Sequence, residues 1–103
     1  MNALIERHRG TIATLARKCH VRRLAIFGSA VAEGFDAAHS DVDVLVEFEP
    51  LAPVERADAY FGLLAELERL FGRPVDLVEQ ASLRNPFLRQ SVEANQVVVY
   101  EAA

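Results

Sequence analysis

The chain has 103 residues, a formal net charge of −4 and a single cysteine, and 51% of its residues are hydrophobic. This length suits one domain, over residues 1–103, and is too short for two. The hydrophobic content argues against a disordered chain, and the acidic balance argues against nucleic-acid binding through bulk charge. The lone Cys19 cannot form an internal disulfide or a CxxC zinc site, which favours a reducing compartment.

The sequence carries no signal for a membrane or for export. No apolar segment approaches about 20 residues, so we expect no membrane-spanning helix. The N-terminal stretch MNALIERHRG is charged too early for a secretory signal. Together with the single cysteine, these features predict a cytoplasmic protein with no membrane partner and no direct nucleic-acid partner.

The first half of the chain predicts a helix, a strand, a short helix and a second strand. Apolar residues recur at spacings of three and four over residues 2–19, as on one face of an amphipathic helix. Residues 22–27 indicate a short strand that Gly28 and Ser29 end, and the following SAVAE can begin a short helix. Residues 41–48 (DVDVLVEF) alternate strictly, which is typical of a strand with one apolar and one polar face.

The second half predicts two helices and two strands. The longest helix is expected at residues 54–71, with Gly72 as its C-terminal cap. Its apolar stripe is expected to comprise Ala57, Tyr60, Phe61, Leu64, Leu67, Leu70 and Phe71. Strands follow at 74–78 and 96–100, and the helix between them has Asn85 as its N-cap before a proline. This order predicts an α/β or α+β fold with helices packed on a mixed sheet.

Two aspartates open the alternating strand. Asp41 and Asp43 are two residues apart, so on a strand they share a face with their Cα atoms about 6.5–7 Å apart. Two ionised carboxylates this close repel and raise each other's pKa. They are either a solvated strand start or a pair of hard oxygen ligands of the kind that Mg²⁺ prefers beside phosphate oxygens.

A glycine and a serine mark the turn before this strand. Gly28 allows the backbone to approach a ligand closely, and the following helix would present free N–H groups that bind phosphate. The Ser29 hydroxyl can donate one more hydrogen bond. An ordinary strand-to-helix turn with Ser29 as N-cap is the alternative.

A third acid lies far along the chain. Asp76 is a lone carboxylate inside the apolar strand at 74–78, where packing gives no reason for one. If this strand lies beside residues 41–48, Asp76 can join Asp41 and Asp43, and three acids can hold two metal ions. The alternative is a strand-edge residue that faces water.

The stretch FGSAVAEGFDAAHSDVDVLVEF, followed by GRPVDLV, resembles the minimal nucleotidyltransferases of the polymerase-β superfamily. Within them it looks like the MNT antitoxins of HEPN/MNT toxin–antitoxin modules, and the likeness covers nearly the whole chain. The resemblance implies a polymerase-β-type nucleotidyltransferase fold. It also implies that Gly28 and Ser29 contact the triphosphate of ATP and that Asp41 and Asp43 bind Mg²⁺. Asp76 would complete the metal site and act in deprotonating the acceptor hydroxyl.

The same resemblance implies an activity. Such antitoxins are thought to transfer AMP from ATP to a tyrosine of a partner HEPN ribonuclease, which silences the toxin. The chain would then be an enzyme, a protein adenylyltransferase, with ATP as substrate and Mg²⁺ as cofactor. This chemistry depends on positioning the reactants and neutralising charge.

The chain departs from the family pattern in two places. Eleven residues separate Ser29 from Asp41, one more than the commoner family spacing, and loops tolerate such an insertion. Ala30 stands where many members carry an arginine, which removes one candidate phosphate contact. Three other arginines are candidates to replace it: Arg22, Arg23 and Arg73.

Two alternative functions stay open at this stage. Because Ala30 replaces the arginine, the chain is alternatively a non-catalytic antitoxin that neutralises its toxin by covering it. It is also alternatively a nucleotidyltransferase that acts on a small molecule or an RNA. Larger relatives of that kind carry an added acceptor domain, which this sequence lacks, so a protein acceptor is the favoured expectation.

Overall fold

The computed structural model describes residues 3–28 and 41–102. The elements in these ranges are α1 (Ala3–Lys18), β1 (Val21–Phe27), β2 (Val42–Phe48), α2 (Pro53–Phe71), β3 (Val75–Glu79), a 3₁₀ turn (Gln80–Ser82), α3 (Pro86–Asn95) and β4 (Val97–Glu101). Each of these α-helices and strands matches a predicted element to within a few residues, whereas the 3₁₀ turn was not predicted. The short helix predicted after Ser29 lies outside the described residues. None of the described helices is long and apolar enough to cross a membrane.

The four strands form one mixed sheet in the order β3-β2-β1-β4. β1 runs antiparallel to both β2 and β4, whereas β2 and β3 are parallel. Parallel neighbours need a long crossover, and α2 provides it. The predicted α+β fold, with helices packed on a mixed sheet, is therefore confirmed.

The alternation along β2 separates two apolar layers. Val42, Val44 and Val46 are fully buried on one face, together with core residues of α1 and α2. Leu45 points to the other face, in a smaller cluster with Leu83 and with Val92 of α3. Both faces of the sheet are thus covered. The predicted buried valine face is confirmed, whereas the face predicted to be polar also contains an apolar cluster around Leu45.

The apolar face of α2 confirms five of the seven predicted residues: Leu67 and Phe71 are buried, and Tyr60, Leu64 and Leu70 pack half-buried against the core. Its buried residues recur every four positions: Ala59, Leu63, Leu67 and Phe71. Phe61, expected in the stripe, is 65% exposed, and Ala57 is exposed as well. Phe61 lies two residues beyond Ala59, which is about 200° around the helix. The prediction was wrong for Ala57 and Phe61 only, because small Ala59 and not bulky Phe61 faces the sheet.

The caps of two helices are formed as expected. Gly72 ends α2 in the left-handed conformation, with φ 65° and ψ 31°, and its N–H donates to the Glu68 carbonyl at 2.9 Å. Asn85 begins α3, because its Oδ1 accepts from the N–H groups of Phe87 and Leu88 at 2.9 and 3.3 Å. These contacts fix where the chain turns towards β3 and where α3 starts.

Asn85→Ala should lower the free energy of unfolding by about 1 kcal/mol, because two N–H groups at the start of α3 lose their acceptor. In a domain of this size that corresponds to a fall in Tm of about 4–8 °C. Thermal melts monitored by circular dichroism measure it. Asn85→Asp keeps the acceptor oxygen and should melt close to the wild type; an equal loss in both variants would contradict the capping role.

Candidate active site

Three strands bring chemically active residues together at one end of the sheet. β1 ends where β2 begins, because these strands are antiparallel, and Phe27 pairs with Asp43. β3 begins beside the start of β2, because these strands are parallel. Gly28, Asp41, Asp43 and Asp76 therefore lie at the same end, which we call the acidic end of the sheet.

The register of the parallel pair sets Asp43 directly beside Asp76. Adjacent strands are about 4.8 Å apart, and paired residues point to the same face. The start of the pair is held by the Val42 N–H, which donates to the Pro74 carbonyl at 3.1 Å. Asp41 immediately precedes β2. Asp76 was expected to join the two other aspartates if its strand lay beside theirs. The two strands are neighbours, so this condition is met.

The three carboxylates have different environments. Asp41 and Asp76 are exposed, whereas Asp43 is half-buried. The pKa of Asp43 is raised above its usual value, first by burial and then by the negative charges of Asp76 and Asp41. The acidic end therefore keeps three carboxylates near one another although their negative charges repel. A cation or a proton would be stabilised there.

Gly28 fits this place for a reason that the sequence did not reveal. Its φ of +70° is a left-handed conformation that residues with a Cβ rarely adopt. A Cβ built at Gly28 would lie 3.3 Å from Cγ of Asp43 and would overlap its Oδ2. The glycine therefore lets the backbone at the end of β1 pack against the carboxylate of Asp43.

The donor set suits a hard divalent cation. Carboxylate oxygens are the ligands that Mg²⁺ prefers. Burial and, after it, the repulsion from Asp76 and Asp41 raise the pKa of Asp43, and a bound cation would relieve that repulsion. Within residues 3–28 and 41–102, no three Asp, Glu, His or Cys side chains are gathered closely enough to hold a metal ion. The acidic end thus has the chemistry of a magnesium site without a preassembled ligand cluster.

The remaining predicted residues fall into two groups. Ser29 and Ala30 lie outside the described residues. Among the three arginines, Arg22 and Arg23 lie near the start of β1, where they pair with Glu47 and Glu101 at 3.7 and 3.5 Å. Five extended residues, or about 16 Å, separate Arg23 from Gly28.

The structure therefore removes Arg22 and Arg23 as replacements for the missing arginine. Arg73 remains close to the acidic end, in the turn before β3, where its Nε donates to the Phe71 carbonyl at 3.2 Å.

Tyr60 is near the acidic end, although its place in the apolar stripe of α2 predicted only a role in core packing. Its hydroxyl donates to the Leu77 carbonyl at 2.6 Å. The pKa of Tyr60 is raised by burial and by the charges of Asp76 and Glu79. No local pattern in the sequence could have signalled this, because the contact joins residues 17 positions apart.

An α+β domain that collects carboxylates at one end of a mixed sheet, beside a glycine turn, has the features of an enzyme that transfers phosphorus-containing groups. A family model for the nucleotidyltransferase domain matches residues 5–99. The chain belongs to this nucleotidyltransferase domain family, which confirms the predicted enzyme class.

Two relatives have names that are more specific than the description of the family. A Methanocaldococcus jannaschii protein, provisionally named as a protein adenylyltransferase, is 34% identical over 85 residues, which cover 82% of this chain and 83% of the relative. The protein adenylyltransferase MntA of Thermococcus cleftensis is 38% identical over 71 residues, covering 69% of this chain and 68% of that protein.

Solved structures share the fold. A structure provisionally described as a minimal nucleotidyltransferase has a TM-score of 0.67 and 30% identity, covering 94% of this chain and 95% of its own. A complex of a tri-AMPylated Shewanella oneidensis HEPN toxin with an MNT antitoxin gives a TM-score of 0.63 at 21% identity, covering 95% of this chain and 73% of the matched one. Because its sequence identity to this chain is low, the similarity to the MNT antitoxin of this complex concerns the fold alone.

Gly28→Ala should lower the free energy of unfolding by about 1–2 kcal/mol from the left-handed backbone alone, with a further loss from overlap with Asp43. Chemical denaturation measures this. Gly10→Ala is the matched control, because a Cβ at Gly10 meets nothing within 4 Å; in the middle of α1 it should stabilise the protein by up to about 1 kcal/mol.

A double-mutant cycle separates the two causes of the Gly28 effect. Gly28→Ala should cost less in an Asp43→Ala background, because the side chain that the new Cβ would overlap is then absent. Equal costs in the two backgrounds would show that only the backbone conformation matters.

Asp43→Asn should raise Tm at neutral pH in the absence of divalent cations, because it removes one of the clustered charges while keeping the shape. Cross-strand charge pairs act at about 0.2–1 kcal/mol, or roughly 1–8 °C here. A folded-state pKa that is raised means that the wild type loses stability as pH rises through it. The advantage of Asp43→Asn should therefore shrink on acidification, as Tm measured against pH would show.

The control for this variant is Asp58→Asn, which removes an exposed charge from α2 and should change stability by less than about 0.5 kcal/mol. Addition of Mg²⁺ should raise the Tm of the wild type more than that of Asp43→Asn. A Tm for Asp43→Asn below that of the wild type at neutral pH would contradict the repulsion argument.

Proposed function

We propose that this chain, acting as a single domain over residues 1–103, is an antitoxin that transfers AMP from ATP to a tyrosine of a partner HEPN ribonuclease, with Mg²⁺, and so silences it. The observation that carries the proposal is the parallel register that sets Asp43 beside Asp76. The similarity to protein adenylyltransferases and the fold shared with an MNT antitoxin from a HEPN toxin complex support the acceptor and the partner.

The roles of the residues follow from their places. Asp41 and Asp43 would hold Mg²⁺, and Asp76 would complete the site. When bound there, Mg²⁺ supplies neutralisation of the phosphate charge and orientation of the reacting oxygens. Gly28 would contact the triphosphate, because it follows β1 at the acidic end of the sheet. Ser29, the next residue in the sequence, is proposed for the same role from the family resemblance alone.

The transfer itself is a displacement at phosphorus. The phenol oxygen of the acceptor tyrosine forms a bond to the α-phosphorus of ATP, and the bond from this phosphorus to the bridging oxygen of the β-phosphate breaks. Pyrophosphate leaves with the electron pair of that bond. The carboxylate of Asp76 takes the phenol proton, and its exposure allows a side chain of another protein to reach it.

Asp76→Asn should lower AMP transfer to the partner ribonuclease by about 10²–10⁴-fold, because it removes the base. Asp41→Ala combined with Asp43→Ala should abolish transfer. The candidate HEPN ribonuclease is incubated with ATP, Mg²⁺ and each variant, and intact-protein mass spectrometry counts the added AMP groups. Asp58→Asn, an exposed acid on α2, is the control and should retain full activity.

Three results would contradict the proposal. The first is a partner that binds the wild-type chain but gains no AMP. The second is neutralisation of the toxin by the Asp41→Ala, Asp43→Ala variant at substoichiometric dose, which would favour the non-catalytic antitoxin. The third is AMP found on an RNA end or a small molecule and not on protein, which would favour the other transferase class.

A further inference from the structure

β3 is an edge strand, with β2 on one side and no strand of the described chain on the other. Along such a strand alternate residues direct their backbone N–H and C=O groups towards the neighbouring strand and away from it. Asp76 is the second residue of this five-residue strand. Its neighbours Val75 and Leu77 therefore have backbone groups on the open side.

Two side chains of α2 bind these outward groups. Oε2 of Glu68 accepts from the Val75 N–H at 3.1 Å, and the Tyr60 hydroxyl donates to the Leu77 carbonyl at 2.6 Å. One contact lies immediately before Asp76 and the other immediately after it. We call Tyr60 and Glu68, with these two hydrogen bonds, the α2 clamp.

We propose that Tyr60 and Glu68 are positioning residues for Asp76: by fixing the backbone on both sides of it, the α2 clamp sets the carboxylate at its place in the acidic end of the sheet. This inference rests on the proposed function, in which Asp76 completes the metal site and takes the proton of the acceptor. It adds two residues on a different element to those that the reaction requires.

The need for such a clamp follows from the exposure of Asp76. An exposed side chain is not held by packing, so its backbone must determine where the carboxylate lies. An edge strand has a ladder of hydrogen bonds on one side only, which leaves its backbone freer than that of a central strand. Displacements of about 1 Å are sufficient to slow an enzymatic reaction by about a hundredfold.

The residues of the α2 clamp are themselves well positioned. Glu68 also accepts, through its backbone carbonyl, from the N–H of Gly72 that caps α2. The turn from Gly72 to Pro74 then returns the chain so that Val75 meets the Glu68 side chain. The raised pKa of Tyr60 keeps its hydroxyl protonated and able to donate at any physiological pH.

The chain offers a matched control for this clamp. Arg56 of α2 also binds β3, because its Nη2 lies 2.7 Å from Oε1 of Glu79. That contact joins the same two elements, but it lies three residues beyond Asp76, at the opposite end of β3. A contact that merely docks α2 on the edge strand should behave as Arg56 does.

The experiment compares Tyr60→Phe, Glu68→Ala, Glu68→Gln and Arg56→Gln in the full-length protein. Tyr60→Phe keeps the ring without the donor, and Glu68→Gln keeps an acceptor oxygen that Glu68→Ala removes. The readouts are kcat and KM for ATP in AMP transfer to the partner, the Kd for Mn²⁺ by electron paramagnetic resonance, and hydrogen exchange of the Val75 amide by NMR. All are measured below the lowest Tm of the set.

We expect Tyr60→Phe and Glu68→Ala to lower kcat and to weaken Mn²⁺ binding by about 10–100-fold, the range for residues that support a ligand, with little change in KM for ATP. Glu68→Ala should also speed exchange of the Val75 amide. Glu68→Gln should restore most of the activity, the Mn²⁺ affinity and the amide protection. Arg56→Gln should leave kcat and the Mn²⁺ affinity unchanged, whatever it does to Tm.

Wild type and Asp76→Asn, assayed in parallel, separate this inference from the function on which it rests. If Asp76→Asn transfers AMP as the wild type does, the proposed role of Asp76 is wrong and the inference falls with it. If Asp76→Asn is inactive while Tyr60→Phe and Glu68→Ala keep full kcat and Mn²⁺ affinity, only the positioning role is wrong. The positioning role is equally wrong if Arg56→Gln lowers kcat as much as the clamp variants do.

Discussion

The parallel register between β2 and β3 is the constraint on which the rest of the structure depends. It puts Asp43 beside Asp76, although like charges on adjacent strands repel. A slip by one residue would turn Asp76 to the opposite face of the sheet. The register is held because Val42, Val44 and Leu77 must enter the same apolar layer, and because the Val42 N–H reaches Pro74 at the start of the pair.

The acidic end of the sheet concentrates negative charge at a cost in stability. Gly28 adopts a conformation that few residues tolerate and closes on Asp43, while burial and two further carboxylates raise the pKa of Asp43. The apolar layers on both faces of β2 offset these costs. Such a concentration of charge is typical of catalytic sites, and the family assignment is consistent with it.

Local signals in the sequence predicted most of the fold. The alternation in β2, the cap at Gly72 and the N-cap at Asn85 are each encoded within a few residues, and each is confirmed. Contacts between distant segments were harder to predict from the sequence. The buried face of α2 depends on which side meets the sheet, and a small residue, Ala59, occupies it. The approach of Gly28 to Asp43 and the contact of Tyr60 with Leu77 have no local signature, because strand pairing and helix docking create them.

Helix side chains form hydrogen bonds to both edge strands of the sheet, β3 and β4, but with different consequences. On β4, Arg9 of α1 donates to the Val98 carbonyl at 3.4 Å, which covers an edge that would otherwise pair with another chain. On β3 the two contacts from α2 flank the one aspartate of the strand. An edge strand exposes Asp76 to an acceptor as large as a protein, which a central strand could not do. Among the described residues, β3 has a strand partner on one side only, and in the proposed positioning role α2 supplies the rigidity that a second strand would have given.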